Sequence, residues 1–216
     1  MPERFTPAQA AAIGTAGYTA ALCVLKLGDA DGPVLVTGAT GGVGSLAIML
    51  LSSTGHEIAA VTGKPAEHDR LRELGASTIL DRAEFEQPGK PLQPELWAGA
   101  VDTAGGTVLA NVLSQTRYGG TVAACGLAAS AEVHASMMPF ILRGVALAGV
   151  NSVFTPRAER DAAWELLDRA LDTSLLDAIT TSITLADAVP TAQRMLAGQT
   201  TGRTIVDVHS SIAAAM

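Results

Sequence analysis

The feature that most constrains this chain is the run Pro33-Val34-Leu35-Val36-Thr37-Gly38-Ala39-Thr40-Gly41-Gly42-Val43-Gly44, which leads into the apolar residues 45–51. Residues 34–37 are apolar or β-branched and bounded by turn formers, which predicts a buried parallel strand. Residues 44–54 predict a helix, with Ala, Ile, Met and Leu on its buried side. A strand that enters a glycine-rich turn and then a helix gathers free backbone N–H groups and the positive end of the helix dipole at one point. Such a point binds phosphate without a basic side chain. Gly41 and Gly44 occupy the second and third positions of the G-x-G-x-x-G fingerprint, with Ala39 in place of the first glycine. Thr40, Gly41, Gly42, Val43 and Gly44 are thus the candidate pyrophosphate-binding residues.

Two rival motifs fail. A Walker loop needs G-x-x-x-x-G-K-[ST], and no lysine precedes Ser45. The residues also satisfy T-G-x-x-x-G-x-G, the turn of the short-chain dehydrogenases, which pair a tyrosine with a lysine four residues on. Here Leu22 and Val122 stand four residues after Tyr18 and Tyr118. The bland alternative is a strand–turn–helix whose glycines serve packing alone.

With 216 residues the chain is long enough to bury a real core, and 48% hydrophobic but only 4% aromatic residues suit close helix–sheet packing. A formal charge of −7 argues against nucleic acid or an anionic membrane as partner. No apolar run is expected to reach the length of a membrane span, and Met1 is followed by Pro-Glu-Arg rather than by a signal peptide. Cys23 and Cys125 lie in apolar surroundings and read as buried free thiols, which fits a cytoplasmic location.

Thr6-Pro7-Ala8-Gln9 is a capping box with proline at the first helical position, so a helix begins there and is interrupted at Gly14-Thr15-Ala16-Gly17. A second run, 18–27, ends at Gly28. Further strands are expected at 57–62, 78–80, 99–102, 121–125 and 145–150, with helices at 66–74, 108–115, 137–142 and 157–171 and an exposed proline-rich loop at 87–94. That alternation is the doubly wound parallel pattern of an α/β Rossmann fold. After residue 171 it breaks: strands at 182–185 and 203–208 flank one helix, 187–197, and belong to another sheet. Residues 210–216 carry no assignment, and no internal repeat is found.

Six blocks stand in one order: Ile13-Gly14-Thr15-Ala16-Gly17-Tyr18-Thr19-Ala20, the turn 38–44, Leu96-Trp97-Ala98-Gly99-Ala100-Val101-Asp102-Thr103, residues 118–128, Met138-Pro139-Phe140-Ile141-Leu142-Arg143 and Gly202-Arg203-Thr204-Ile205-Val206. In these the chain resembles the medium-chain dehydrogenase/reductases, and within them the zinc-free quinone oxidoreductase group and its acrylyl-CoA reductase branch. The resemblance spans residues 2–208. It implies an N-terminal GroES-like barrel that precedes the nucleotide-binding domain and forms most of the substrate site. Here Met1 falls just before the helix that enters that domain, so a fragment or a truncated reading frame is expected. The implied layout is lead-in helices 1–28, an NADP-binding Rossmann domain 29–175, a C-terminal segment of the missing barrel 176–208, and a tail 209–216.

NAD enzymes place an acid at the end of the second strand, about 20 residues past the glycines, to hold the ribose 2′-hydroxyl. This chain has Thr62-Gly63-Lys64 there, which suits a 2′-phosphate and favours NADP. The family usually shows Ser-Gly-Arg, and lysine keeps the charge without the two-pronged geometry. A solvated surface lysine is the alternative. Arg70 and Arg72 on the next helix read as solvent-facing, and His68 as incidental. Asp102-Thr103 closes the fourth strand at the crevice of the sheet: by analogy Thr103 approaches the cofactor, while Asp102 reads equally well as a plain turn. Leu127, after the fifth strand, borders the adenine or nicotinamide by the same resemblance, and Arg203 matches a family arginine on the cofactor side. His56, His68, His134 and His209 show no ligand spacing with the cysteines, so no metal site is expected.

The resemblance implies an NADPH-dependent reduction of an activated alkene, of the acrylyl-CoA or enoyl-CoA type, or of a quinone. It also implies a homodimer through the edge of the sixth strand, residues 145–153. No residue is assigned as catalytic, because those groups lie mostly in the barrel. The alternative function is a non-catalytic NADP-binding module that senses redox state or binds a partner.

Overall fold

The computed structural model describes residues 2–208. The unassigned tail lies outside the described residues. Helix α1 (Pro7–Leu27) begins with the expected capping box, in which the Thr6 hydroxyl accepts from Gln9 N and the Gln9 side-chain Oε1 accepts from Thr6 N. Gly14, at φ 45° and ψ −149°, breaks it. Then follow β1 (Val34–Val36), α2 (Gly42–Ser53), β2 (Ile58–Thr62), α3 (His68–Glu73), β3 (Thr78–Asp81), β4 (Trp97–Asp102), α4 (Gly106–Gln115), β5 (Thr116–Ala124), α5 (Met138–Arg143) and β6 (Ala146–Gly149). Next come α6 (Arg157–Ala170), α7 (Thr173–Ala178), β7 (Thr180–Thr184), α8 (Ala188–Leu196) and β8 (Arg203–Asp207).

Six parallel strands run in the order β3-β2-β1-β4-β5-β6, the doubly wound arrangement. Strand alternation divides the core in two. Val34, Val36, Ile58, Ala60, Val101 and Ala123 face α1, α2 and α6. Leu35, Ala59, Val61, Ala100 and Val122 face α4. Strands buried on both faces read as the near-continuous apolar runs seen in the sequence. The chain order reverses between β1 and β4, so a crevice opens beyond their carboxyl ends.

β7 and β8 pair with each other in a separate two-stranded parallel sheet, as the break in pattern led us to expect. Helix α7 was not expected. The Asp172 carboxylate caps it by accepting from Ser174 N and Leu175 N, and the expected division after residue 175 falls inside it. Helix α1 corrects another expectation: its 21 residues are long and apolar enough to cross a membrane by length and composition. Most of that stretch is instead buried in protein, with Ile13, Ala20, Ala21 and Cys23 in the same core as α2 and α6.

Candidate active site at the sheet switch point

The glycine turn leaves β1 at the switch. Gly38 takes φ 57°, and Thr103 Oγ1 packs where its Cβ would stand. Gly41 N donates to Gly38 O at 2.9 Å, which tightens the loop into the first turn of α2. Gly44 admits no side chain: a Cβ would lie 2.8 Å from Ala39 Cα and 2.9 Å from Gly38 C. Gly41 caps the helix without a side-chain hydrogen bond. The N–H groups of the first turn, Gly42, Val43 and Gly44, have no acceptor one turn earlier and face outward along the axis. Ser45 is the first residue bonded back, its N–H and hydroxyl donating to Gly41 O at 3.0 and 2.8 Å.

Arg203, 160 residues from this turn, lies over it. Its Nη1 occupies the space that a Gly42 side chain would fill, Nη2 comes to 3.3 Å from a Cβ built on Gly14, and Nε donates to Ala12 O at 2.5 Å. Burial lowers its pKa below the ordinary guanidinium value. A half-buried cation set against the positive end of a helix, with no carboxylate partner among the described residues, is an arrangement that an anion relieves. The segment before it is fastened down at three points: Gly202 N donates to Thr40 O at 3.0 Å, Lys64 Nζ to Thr200 O at 2.9 Å, and Arg70 Nη1 to Thr201 Oγ1 at 3.2 Å. Arg70 is therefore half-buried in the site's rim, and its reading as a solvent-facing residue is corrected. Arg72 is exposed and paired with Asp69.

Behind the loop a buried network joins β1 to β4. The Thr37 hydroxyl donates to Asp102 Oδ1 at 2.7 Å and accepts from Thr103 N at 2.9 Å, Thr103 Oγ1 donates to Thr37 O at 3.0 Å, and Gly105 N donates to Asp102 Oδ2 at 2.8 Å. Burial raises the Asp102 pKa, while the bonds from Gly105, Thr37 and Ala104 oppose that rise. Asp102 is thus more than a turn residue; it fixes the loop that carries Thr103 beside Gly38. At the end of β2, the Thr62 hydroxyl accepts from Lys64 N at 3.1 Å. Leu127 is 67% exposed and lines an open cleft of about 400 Å³ with Cys125, Gly126 and Asn151, apart from the glycine turn.

The structure adds a residue that the sequence gave no sign of. Arg82, just past β3, lies against Gly63 and lines a cavity of about 320 Å³ with Gly38, Val61, Thr103, Ala104 and Val108. The register Thr62↔Asp81 between β2 and β3 puts it there. Cys23 is buried and Cys125 half-buried, both free, and Cys125 Sγ donates to Asp102 O at 3.5 Å; the neighbouring Cys125 thiol and burial push the Cys23 thiol up.

A doubly wound sheet with a glycine turn at its switch point defines a dinucleotide-binding fold. The family model described as zinc-binding dehydrogenase matches residues 42–169. The chain is 48% identical to the acrylyl-CoA reductase AcuI of Ruegeria pomeroyi over 97% of its own length and 66% of that protein's. Two solved structures superpose closely. The Salmonella enterica yhdH oxidoreductase in complex with NADP has a TM-score of 0.93 at 50% identity, covering 96% of this chain and 65% of that one. Bacillus subtilis yhfP with NAD bound has a TM-score of 0.90 at 40% identity, with 96% and 65% covered. The chain belongs to the zinc-binding dehydrogenase family, within the medium-chain dehydrogenase/reductases whose motifs it carries. It spans about two thirds of the length of these relatives. The zinc in the family's description finds no matching ligand set: among the described residues no group of three His, Cys, Asp or Glu converges.

Proposed function

We propose that this chain is the NADPH-binding portion of an oxidoreductase that reduces an activated alkene, of the acrylyl-CoA or enoyl-CoA type, or a quinone. The observation that carries the reading is the convergence of the glycine-rich first turn of α2 with the Arg203 guanidinium, which has no carboxylate partner among the described residues, at the switch point of the sheet. Gly41, Gly42, Val43 and Gly44 would hold the pyrophosphate by backbone N–H groups, with Thr40 fixed behind them and Arg203 neutralising its charge. Thr62, Gly63 and Lys64 would receive the 2′-phosphate, with no acid at the end of β2 to hold a bare ribose diol. Thr103 would line the cofactor's path, and Leu127 would border the base or the nicotinamide. When bound, the cofactor supplies a hydride. We assign no catalytic residue to this chain.

β7, α8 and β8 fit the C-terminal part of the barrel that the resemblance implies, the region that would orient the acceptor. Orientation contributes about 7–11 kcal/mol to lowering a barrier, which is roughly five to eight powers of ten in rate. Calorimetry should therefore detect NADPH bound to the 216-residue chain and NADH bound more weakly. NADPH oxidation with acryloyl-CoA or quinones should stay at background until a barrel domain is supplied. No measurable NADPH binding at millimolar concentration would overturn the reading; binding without any turnover after barrel addition would favour the non-catalytic module.

We also infer a homodimer through β6. It is one of the two edges of the six-stranded sheet, the other being β3, and Leu147, Val153, Phe154 and Ile141 are exposed around it. A monomer by light scattering at tens of micromolar would count against this.

A further inference from the structure

We propose that Cys125 and Cys23 form an oxidisable dithiol, reached by hydrogen peroxide through the cleft at the carboxyl ends of β5 and β6 and closed into a disulfide on reaction. The function proposed above uses neither thiol. They are the only two cysteines of the chain and stand about a hundred residues apart in sequence. The fold makes them neighbours where α1 packs on β5.

The two sulfurs differ in access. Cys23 is wholly buried in the core shared by α1, α2 and α6. Cys125 is half-buried: it packs against that core on one side and lines the open cleft of about 400 Å³ on the other, with Gly126, Leu127, Gly149 and Asn151. A Cβ built on Gly149 would meet nothing within 4 Å, so the mouth is open to a molecule the size of peroxide. The oxidant therefore meets Cys125 first, and Cys23 is reached only through it. Acidity points the same way. The neighbouring Cys23 thiol draws the Cys125 thiol below its ordinary value, while the Cys125 neighbour and burial push Cys23 up. The accessible member of the pair is the one that ionises, and the thiolate is the nucleophile.

The chemistry balances with peroxide as the only oxidant. The Cys125 thiolate attacks one peroxide oxygen: an S–O bond forms, the O–O bond breaks, and the departing hydroxide picks up the proton that the thiol gave to solvent. The Cys23 sulfur then attacks the Cys125 sulfur. An S–S bond forms, the S–O bond breaks, and the second hydroxide leaves with the Cys23 proton as water. Two thiols lose two electrons, one peroxide gains them, and two waters result. An external dithiol reverses the reaction by thiol–disulfide exchange. The crosslink would span the candidate site. Cys125 donates to Asp102 O from N at 2.9 Å and from Sγ at 3.5 Å, and the Asp102 carboxylate fixes the loop that carries Thr103. Helix α1 supplies Ala12 O to Arg203. A disulfide takes the Sγ donor from Asp102 O and ties these two walls together.

The test treats the folded wild-type chain, C23S and C125S with hydrogen peroxide, counts free thiols and maps linked peptides by mass spectrometry, with thermal melting to check the fold. The wild type should lose both thiols together and yield one intramolecular Cys23–Cys125 peptide pair, which dithiothreitol splits. In C23S the oxidation of Cys125 should stop at a sulfenic acid that dimedone captures. In C125S the buried Cys23 should stay reduced until urea unfolds the chain. Survival of both thiols in the folded wild type would overturn the proposal, as would thiol loss without the linked pair or a disulfide between two chains. Equal reactivity of the two cysteines in the folded single variants would also overturn it. The wild-type peptide map decides the matter even where a serine variant fails to fold. None of these readouts involves NADPH, so failure here leaves the function proposed above standing.

Discussion

Two strand–helix–strand units, β1-α2-β2 and β7-α8-β8, share one local topology and have opposite surroundings. In the first, every residue of both strands is buried, and α2 buries an unbroken run from Gly44 to Leu51. In the second, Thr191 is the only buried residue of α8, and Leu185, Val189 and Leu196 are exposed. Local pattern suffices to form such a unit, but cover on both faces is what stabilises a parallel one. What ties the second unit to the first is concentrated at the phosphate loop: Gly202 on Thr40, Thr200 under Lys64, and Arg203 on Ala12 and beside Gly42. The two units are therefore joined through a few residues at the glycine turn, so that a ligand bound there would meet both.

The sharpest way to break the comparison is a core truncation. Leu50 of α2 is wholly buried, so Leu50→Ala should cost about 2–5 kcal/mol, a transfer loss plus a cavity. Urea unfolding would show it, and a loss under 1 kcal/mol would mean that the first unit is not the stable one. Asp102→Asn comes next. An amide cannot accept from both Thr37 and Gly105, which leaves a buried donor unpaired and costs about 1–3 kcal/mol. The sign of its pH dependence follows from the raised carboxyl. The native state holds the Asp102 proton more tightly than the unfolded one, so this contribution is full below the ordinary value of 3.8 and fades as pH rises through the raised one. The stability gap between wild type and Asp102→Asn should thus widen as pH falls through that window, as read by urea midpoints at several pH values.

The first unit was legible in the sequence because its signals are local: β-branched residues, then glycines, then an apolar helix. The same holds for the capping box at Thr6 and the break at Gly14. What was hidden depends on register. Arg82 reaches the end of β2 only because β3 pairs beside it, and Arg70 turns to Thr201 only because residues 199–203 cross the loop. The front half of β5 was missed because Arg117-Tyr118-Gly119-Gly120 has turn chemistry, with Gly119 at φ 73°, although Thr116 pairs with Trp97 across an irregularity in the ladder. Helix α7 was readable in principle from Asp172 as an N-cap, but six residues give no periodicity to recognise.

The junction between the two units gives a smaller effect. Lys64→Ala removes the donor to Thr200 O and one charge from the proposed 2′-phosphate site. NADPH affinity should fall roughly tenfold, in line with one charge-assisted hydrogen bond, with NADH nearly unchanged. Amide exchange at residues 199–203 should quicken at the same time. Weaker NADPH binding without faster exchange would show that Lys64 does not tie the units together.

The smallest effect tests the exposed side of the comparison. Leu196 ends α8 with 91% of its surface exposed, so Leu196→Ser removes almost no contact within this chain. An exposed site of that kind changes stability by no more than about 0.5 kcal/mol, against the several lost at Leu50. Serine should also leave NADPH binding alone, because the Leu196 side chain is exposed at the far end of α8. A loss above 1 kcal/mol that grows with protein concentration would mean that α8 is covered by a second copy in solution. The contrast between the units would then belong to the single chain and not to the assembly, and β6 would no longer be the only edge to consider for the dimer.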